Sequence, residues 1–245
     1  MIEKIIRLSR KAGKAIMRFY NNKRFFFVDK KQDSSPVTSA DLISHKIIIC
    51  GLRRLTPDVP IVSEEDCFSF KKDSDFFWLV DPLDGTKEFL KRNNEFTVNI
   101  ALVKNGIPVV GVIYAPAINC LYTAYNGQAW KDNGYNKHLI HVKNIFPPTI
   151  VVSRFHLNEN DLQQYLLKFK KYRLIRVGSS LKFCMIAEGK AQFYPSFSSI
   201  KLWDTAAGYA VAMAAGAKII DWHGSSLAYT LCDSFLNPGF EVSLY

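Results

Sequence analysis

The chain is organised around one stretch of sequence, Phe76-Phe77-Trp78-Leu79-Val80-Asp81-Pro82-Leu83-Asp84-Gly85-Thr86-Lys87-Glu88-Phe89. Its five leading apolar residues, rich in aromatic and β-forming types, predict a buried strand with Asp81 at its C-terminal end. Pro82 has no N–H to donate to a neighbouring strand, so strand pairing should stop there. Asp84 follows within one tight turn, Gly85 allows close approach of the backbone, and a helix should begin near Thr86. Two acids between a strand end and a helix N-terminus indicate a site for a metal ion and a phosphate.

Length and composition indicate a folded globular protein. The 245 residues are 48% apolar and 13% aromatic, enough to bury a substantial core as one domain or as two closely packed halves. No apolar run approaches the roughly 20 residues that span a bilayer, and charges interrupt the N-terminal segment. Neither a transmembrane helix nor a secretory signal is therefore predicted, and we expect a cytoplasmic protein.

The net charge and the cysteine content exclude few classes of function. A net charge of +10 could attract a polyanionic substrate, a nucleic acid or an anionic membrane, or could serve solubility alone, and composition does not separate these. The five cysteines are scattered without a C-x-x-C pair, which argues against a disulfide framework and a zinc ribbon.

The N-terminal twenty residues are predicted to form an amphipathic helix. Its apolar side comprises Ile2, Ile5, Ile6, Ala12, Ile16 and Phe19. A basic stripe on another side comprises Lys4, Arg7, Lys11, Lys14 and Arg18. Such a helix can lie on a membrane surface, or it can pack its apolar side on the core and leave the basic side solvated. In the first case the contact would be mainly electrostatic.

A second helix is predicted from residue 39 to residue 55, after a turn at 33–38. Thr38 is a suitable N-cap and Asp41 follows three positions later, which approximates a capping box, so capping alone would account for Asp41. A short strand at 59–62 leads to three consecutive acids, Glu64-Glu65-Asp66. Such a run is usually a solvated loop, but its place before the Asp81 strand would allow one acid to turn inward.

The remaining pattern changes near residue 146. Before it, predicted strands at 97–103, 109–114, 119–125 and 128–131 alternate with hairpin signals at Asn105-Gly106 and Asn126-Gly127, as in an antiparallel meander. After Phe146-Pro147-Pro148, predicted strands (150–153, 173–177, 191–194, 218–221) alternate with helices (158–169, 180–188, 204–215). We therefore predict two packed subdomains, 1–146 and 147–245, of α/β (α+β) class.

A second acidic motif reads Trp203-Asp204-Thr205-Ala206-Ala207-Gly208. Asp204 at the start of an alanine-rich helix could be a simple N-cap. Together with Glu64, Asp81 and Asp84, however, it completes a set of four acids that each lie at an element boundary. Hard cations such as Mg²⁺ take oxygen ligands, typically a few carboxylates and a substrate phosphate.

These motifs resemble a known family. Glu64-Glu65, the Asp81-to-Thr86 stretch and the Trp203-to-Gly208 stretch are similar to the three signatures of the Mg²⁺-dependent, lithium-sensitive inositol monophosphatase superfamily. Four further stretches resemble its bacterial 3'(2'),5'-bisphosphate nucleotidase branch: Ser35-Pro36-Val37-Thr38, Thr86-Lys87-Glu88-Phe89, Gly178-Ser179-Ser180-Leu181-Lys182-Phe183-Cys184 and Phe235-Leu236-Asn237-Pro238-Gly239-Phe240. The resemblance implies a layered α/β/α/β/α sandwich of the inositol monophosphatase and fructose-1,6-bisphosphatase type, with the site between two subdomains.

The resemblance also implies roles for individual residues. Two or three Mg²⁺ ions would be held by Glu64, Asp81, Asp84, Asp204 and the backbone carbonyl of Leu83. Thr86, partnered by Asp41, would orient the attacking water, and Glu64 would assist. The N–H groups of Gly85 and Thr86 would hold phosphate oxygens. The implied substrate contacts are Glu64, Leu83, Asp84, Gly85, Thr86, Ser153, His156, Gly178, Lys182 and Asp204. From the residues alone, Lys182 and Arg154 could equally be solvated.

The implied activity is removal of the 3'-phosphate of adenosine 3',5'-bisphosphate, with 3'-phosphoadenylyl sulfate as a further substrate. An inositol monophosphatase with the same metal chemistry is the alternative, and a non-catalytic RNA-binding or sensor protein is a remote one. The expected partner is a small nucleotide bisphosphate rather than a nucleic acid. Peripheral contact of the basic stripe with the cytoplasmic face of the inner membrane stays open, and no oligomeric state is predicted.

Overall fold

The computed structural model describes residues 1–22, 28–30, 36–66, 74–155, 157–231 and 235–244. The helices in these residues are α1 (Ile2–Asn21), α2 (Ser39–Leu55), α3 (Thr86–Lys91), α4 (Glu159–Leu166), α5 (Leu181–Ala187) and α6 (Leu202–Ala214). The strands of the first half are β1 (Val28–Lys30), β2 (Pro36–Thr38), β3 (Ile61–Ser63), β4 (Phe76–Asp84), β5 (Thr97–Lys104), β6 (Ile107–Ala115), β7 (Cys120–Tyr125), β8 (Gln128–Asp132) and β9 (Lys137–Leu139). Those of the second half are β10 (Thr149–Ser153), β11 (Arg173–Val177), β12 (Phe193–Ser196), β13 (Ile200–Lys201), β14 (Lys218–Asp221), β15 (Leu236–Asn237) and β16 (Phe240–Ser243).

The larger sheet has seven strands in the order β3-β4-β5-β6-β7-β8-β9. β3 is parallel to β4, and the following pairs are all antiparallel. This is the predicted meander. Its turns at Asn105-Gly106 and Asn126-Gly127 have positive φ at both residues, as type I′ hairpins require.

Alternate residues of β4 face opposite sides of this sheet because the side-chain period of a strand is two. Trp78 and Val80 belong to the core beneath α1 and α2. Phe77 and Leu79 belong to a second core, which they share with α5 and α6. The predicted buried strand is therefore covered by helices on both faces.

The second sheet has the order β11-β10-β12-β16-β14, with β10 parallel to both of its neighbours. Val151 and Phe240 face the core that contains α5 and α6, whereas Ile150 and Val152 on the opposite face pack with Leu162 of α4. The layers are thus α1 and α2, the seven-stranded sheet, α5 and α6, the five-stranded sheet, and α4. This arrangement confirms the predicted α/β/α/β/α sandwich. The division into 1–146 and 147–245 stays a prediction.

α1 confirms the predicted amphipathic helix. Ile5, Ile6, Ala12 and Ile16 are buried, while the whole basic stripe is exposed. Within the described part of the chain, no side chain of the stripe forms an ion pair or a hydrogen bond. No helix of the described residues is long and apolar enough to cross a membrane.

Two predicted boundaries near the acids were wrong. β4 does not end at Asp81 but continues through Pro82 to Asp84, with a register shift that absorbs the missing proline N–H. α6 begins at Leu202 rather than at Asp204, because Leu202 and Trp203 are buried as the first helical residues. Strands β1, β2, β9, β13, β15 and β16 were not predicted, since each has only two to four residues. The turn expected at 33–38 is wrong for residues 36–38, which form β2, and residues 33–35 lie outside the described residues.

Candidate active site

Three acids from separate elements meet at one point. Glu64 follows β3, Asp81 lies in β4 and Asp204 lies in the first turn of α6. Carboxylate oxygens of these residues, one from each, lie within 4.8 Å of one another. One of the three consecutive acids, Glu64, therefore does turn inward. Asp204 makes no capping bond, and the N-cap of α6 is Lys201, so capping does not account for this acid.

The acids repel one another in a buried setting. Burial raises the pKa of Asp81 well above its usual value, and the neighbouring Glu64, Asp84 and Asp204 raise it further. Burial likewise raises the pKa of Asp204, followed by the charges of Asp84 and Glu64. Clustered carboxylates of this kind favour either a proton or a cation between them. The oxygen donors therefore fit a hard divalent metal ion.

A β-bulge brings Asp81 and Asp84 to the same side of the sheet. In a regular strand, residues three apart face opposite sides. Here Asp81 is opposite Asn99 and Asp84 is opposite Thr97, so three steps along β4 match two steps along β5. The extra residue in β4 places the Asp84 side chain on the same side of the sheet as that of Asp81, and both acids line the same cavity. Inside the bulge, the Leu83 N–H donates to Asp81 Oδ1 at 3.0 Å.

Asp84 is held through one oxygen only. Its Oδ2 accepts from the Ser180 N–H at 2.6 Å, the Ser180 hydroxyl at 2.7 Å and the Asn99 amide at 3.1 Å. The Thr97 hydroxyl lies 3.4 Å from the same oxygen. Because all four contacts end on Oδ2, Oδ1 is the oxygen that Asp84 can offer to a ligand.

Thr86 and Asp41 are brought together as the resemblance implies. The Thr86 hydroxyl lies 3.2 Å from Asp41 Oδ1, with the Leu83 carbonyl as a second acceptor at 3.4 Å. The other oxygen of Asp41 accepts from the N–H and the hydroxyl of Thr38, at 2.8 and 2.5 Å, in a complete capping box. Asp41 therefore both caps α2 and holds Thr86.

Gly85 joins the bulge to α3 with a left-handed backbone, at φ +87°. A Cβ there would lie 3.0 Å from the Glu95 carbonyl oxygen and 3.3 Å from Ser179, so a side chain would be both strained and crowded. The absence of a side chain at Gly85 therefore permits this close packing where the bulge joins α3.

The second half supplies a buried lysine. Lys182 is 7% exposed, and its Nζ donates to the Ser179 carbonyl at 2.6 Å. Burial lowers the pKa of Lys182, while facing carboxylates, first among them Asp84, act in the opposite direction. Lys182 is thus not a solvated side chain, and it lines the cavity together with Ser153 at the end of β10. His156 lies outside the described residues.

Arg154 is also engaged rather than solvated. Its guanidinium donates to both oxygens of Glu95, at 2.7 and 2.5 Å, and to the Arg176 carbonyl at 2.6 Å. Glu95 accepts in addition from the Gly178 N–H at 2.8 Å. A Cβ on Gly178 would collide with Glu88 at 2.3 Å. Glu95 in the first half therefore fixes the β10 and β11 ends of the second half.

The sequence did not single out four residues of this site: Ser180, Asn99, Glu95 and Glu88. Ser180 belongs to a motif that was quoted, but nothing in the motif marked it as the partner of Asp84. Glu88 is buried, and burial raises its pKa. Asn99 could have been singled out from the sequence, because it is a hydrophilic residue within the otherwise largely apolar strand predicted at 97–103.

The acids form part of the wall of a cavity of about 770 Å³, a volume typical of small-molecule sites, which residues of both halves line. Glu64, Asp81, Asp84 and Thr86 line it from the first half. Lys182, Asp204 and the segment 194–201 line it from the second half.

Comparison with known proteins shows which family the chain belongs to. The family model described as "Inositol monophosphatase family" matches residues 1–239. The chain is 51% identical to the 3'(2'),5'-bisphosphate nucleotidase CysQ of Escherichia coli (strain K12) and 50% identical to that of Salmonella typhimurium, over 247 positions covering 100% of each chain. The crystal structure of CysQ from Bacteroides thetaiotaomicron superimposes with a TM-score of 0.86 at 37% identity, covering 99% of this chain and 97% of that one. The chain therefore belongs to the inositol monophosphatase family.

Proposed function

We propose that this protein is a Mg²⁺-dependent phosphatase that removes the 3'-phosphate of adenosine 3',5'-bisphosphate to give AMP and phosphate. 3'-Phosphoadenylyl sulfate is proposed as a second substrate. The observation that carries this proposal is the convergence of Glu64, Asp81 and Asp204 within 4.8 Å in a small-molecule cavity. The similarity over full length to CysQ bisphosphate nucleotidases supports the choice of substrate.

The donor set fits Mg²⁺. The residues that would hold it are Glu64, Asp81, Asp84, Asp204 and the Leu83 carbonyl, in two or three ion sites. When bound, Mg²⁺ neutralises phosphate charge and lowers the pKa of water, the usual contribution of metals to phosphoryl transfer. Lithium is expected to inhibit by competing for the same carboxylates.

Thr86 is proposed to position the attacking water. Its hydroxyl has one proton, which it directs toward Asp41 Oδ1 at 3.2 Å. The hydroxyl lone pairs can then accept a hydrogen bond from water and turn a water lone pair toward phosphorus. A bond forms between the water oxygen and phosphorus while the bond from phosphorus to O3' breaks. The water gives up one proton and O3' takes up one, so the products are AMP with a free 3'-hydroxyl and hydrogen phosphate.

We propose that groups from both halves of the protein stabilise the negative charge of the phosphate. Gly85 and Thr86 line the cavity in the first half, and their N–H groups would donate to phosphate oxygens. Lys182 and Ser153 line the same cavity from the second half. Because Lys182 is buried, its positive charge acts at low dielectric and would be strongly felt by a phosphate.

A phosphate-release panel tests this function. Adenosine 3',5'-bisphosphate, 3'-phosphoadenylyl sulfate and inositol 1-phosphate are compared with Mg²⁺, with EDTA, and with Mg²⁺ plus lithium. We expect the bisphosphate to be turned over fastest, only with Mg²⁺, and less with lithium. Faster turnover of inositol phosphate would replace this proposal with the polyol phosphatase alternative.

We also propose a cytoplasmic location, with the basic stripe of α1 in electrostatic contact with anionic lipid. All five stripe residues are exposed, which supports the idea. Co-sedimentation with phosphatidylglycerol vesicles at low salt, compared with phosphatidylcholine vesicles, is the measurement. Lys11→Glu with Lys14→Glu should abolish it, whereas Lys104→Glu with Lys218→Glu makes the same charge change at exposed positions elsewhere. Equal recovery with both lipids contradicts the proposal.

A further inference from the structure

One aromatic ring on the cavity wall has exposed surface. Four aromatic side chains line the cavity: Phe183, Tyr194, Phe197 and Trp203. Three of these are buried, but Phe197 is only partly buried. It follows β12 in the segment 194–201, on the part of the wall that the second half contributes.

Trp222, the residue after β14, stacks on Phe197. The two rings are almost parallel, at 11°, with centroids 5.5 Å apart. Trp222 stacks on one face of the Phe197 ring and does not line the cavity, whereas Phe197 does. The opposite face of the Phe197 ring is therefore the one that a ligand in the cavity could reach. The ring of Tyr165 stands edge-on to both, with centroids at 6.0 Å from Phe197 and 6.1 Å from Trp222.

The backbone beneath this stack is fixed as well. The Trp222 indole N–H donates to the Ser196 carbonyl at 2.9 Å. Gly239 lies so close that a Cβ there would be 2.8 Å from the carbonyl oxygens of Ser196 and Phe197 and from Trp222 Nε1. Phe197 is therefore a pre-positioned ring, and stacking on it would cost little conformational entropy.

From this arrangement we propose that Phe197, backed by Trp222, is the platform on which the base of a nucleotide substrate stacks. This inference rests on the proposed nucleotidase function and names a residue that selects the substrate. A flat base gains from stacking on an aromatic face, whereas a polyol phosphate has no ring to stack. Ser198 and Ser199, which follow Phe197, are exposed and line the same cavity, so their hydroxyls are available to a substrate there.

A purely structural role for Phe197 makes a different prediction. The ring also packs on the core beneath α4, together with Leu162 and Tyr165. If that were its whole function, replacing it would alter stability or would affect all substrates equally. The platform predicts an effect that depends on whether the substrate carries a base.

The test is a pair of Phe197 variants assayed on two substrates. Phe197→Leu keeps an apolar side chain without a ring, and Phe197→Tyr restores the ring. On adenosine 3',5'-bisphosphate we expect Phe197→Leu to lower kcat/KM about 10-fold, mainly through KM, and Phe197→Tyr to recover most of it. On glycerol 2-phosphate, which has no base, both variants should match the wild type. Tyr172→Leu, at an aromatic residue outside the cavity, is the matched control.

Each outcome decides the matter. An equal change of both substrates in Phe197→Leu, or no change in either, overturns the platform while the nucleotidase function stands. A wild-type protein that hydrolyses glycerol 2-phosphate but not the nucleotide overturns both proposals. If Phe197→Leu does not fold, Trp222→Leu removes the support from outside the cavity and should give the same selective loss, to a smaller extent.

Discussion

Ser180 donates two hydrogen bonds to a single oxygen of Asp84, which lies 96 positions earlier in the chain. One of these bonds comes from the Ser180 N–H and the other from its hydroxyl. The hydroxyl also lies 2.8 Å from the backbone carbonyl of Asp204, so Ser180 contacts an acidic residue from each half. Asn99 adds a bond to the Ser180 hydroxyl at 2.8 Å. Ser180 therefore links the Asp84 carboxylate to the backbone of Asp204, although it is not among the predicted metal or substrate contacts.

Ser180→Ala should weaken metal binding without unfolding the protein. The variant loses the hydroxyl bonds but keeps the N–H bond to Asp84. Loss of a residue that orients a metal ligand typically costs about 10-fold or more in metal affinity. The measurement is the Mg²⁺ concentration that gives half-maximal activity. Ser198→Ala, at an exposed serine of the cavity rim, is the control and should leave that concentration unchanged.

Thr86→Val should lower kcat about 100-fold or more while leaving KM near the wild-type value, since positioned proton acceptors contribute at this scale. Valine keeps the shape of threonine but cannot bond Asp41 or a water. Thr86→Ser retains the hydroxyl and should keep most of the activity. Similar kcat values for the valine and serine variants would show that the hydroxyl does not position the water.

Asp81→Asn should abolish turnover, and without metal it should stabilise the protein at neutral pH. Because burial and neighbouring acids raise the pKa of Asp81, the folded state retains its proton above about pH 4, where unfolded carboxyls ionise. The metal-free wild type is thus stabilised at low pH and loses that stability as pH rises through the raised pKa. The asparagine side chain does not ionise, so the variant does not lose stability in this way.

Melting temperatures of both proteins in EDTA between pH 5 and pH 8 test whether the stability of the wild type falls as pH rises. The variant should melt above the wild type at pH 8, with each kcal/mol shifting Tm by about 2–4 °C, and the difference should narrow toward pH 5. Added Mg²⁺ should raise the wild-type Tm and leave the variant almost unchanged. If Tm changed with pH in the same way in both proteins, repulsion between Asp81 and the neighbouring acids would be contradicted.

Arg154→Lys should destabilise the contact between the halves by about 1 kcal/mol, a modest value because the Arg154 side chain is 35% exposed. Lysine cannot make the paired bonds to Glu95. Urea unfolding of Arg154→Lys, Glu95→Gln and the double variant measures the coupling. Additive losses would mean that the pair is not coupled, and Arg173→Lys, at an exposed arginine, serves as the control.

Much of this architecture follows from local sequence patterns. Periodicity and capping predict α1 and α2 closely, and the strand around Trp78 is recognised from its apolar run. The four acids can be singled out because the sequence pattern places each of them near a predicted element boundary, although in the structure Asp81 lies inside β4. Their roles come from resemblance, and the structure shows Glu64, Asp81 and Asp204 together.

What could not be predicted depends on how distant layers stack. Ser180 reaches Asp84 only because the β11–α5 junction lies against the large sheet. Glu95 stands between an asparagine and a phenylalanine, with no pattern to mark it as the partner of Arg154. Phe197 is one of 18 phenylalanines, and only the cavity distinguishes it.

The bulge in β4 has a consequence for the durability of the proposed site. Two carboxylates on one side of a sheet could also come from acids two apart in a regular strand, without any proline. That simpler strand would commit its intervening peptide to the ladder. In the irregular strand Leu83 has no register partner in β5, which leaves its carbonyl, the proposed metal ligand, outside the ladder. A peptide oxygen persists whatever side chain its residue carries, so no point substitution at position 83 deletes that ligand group.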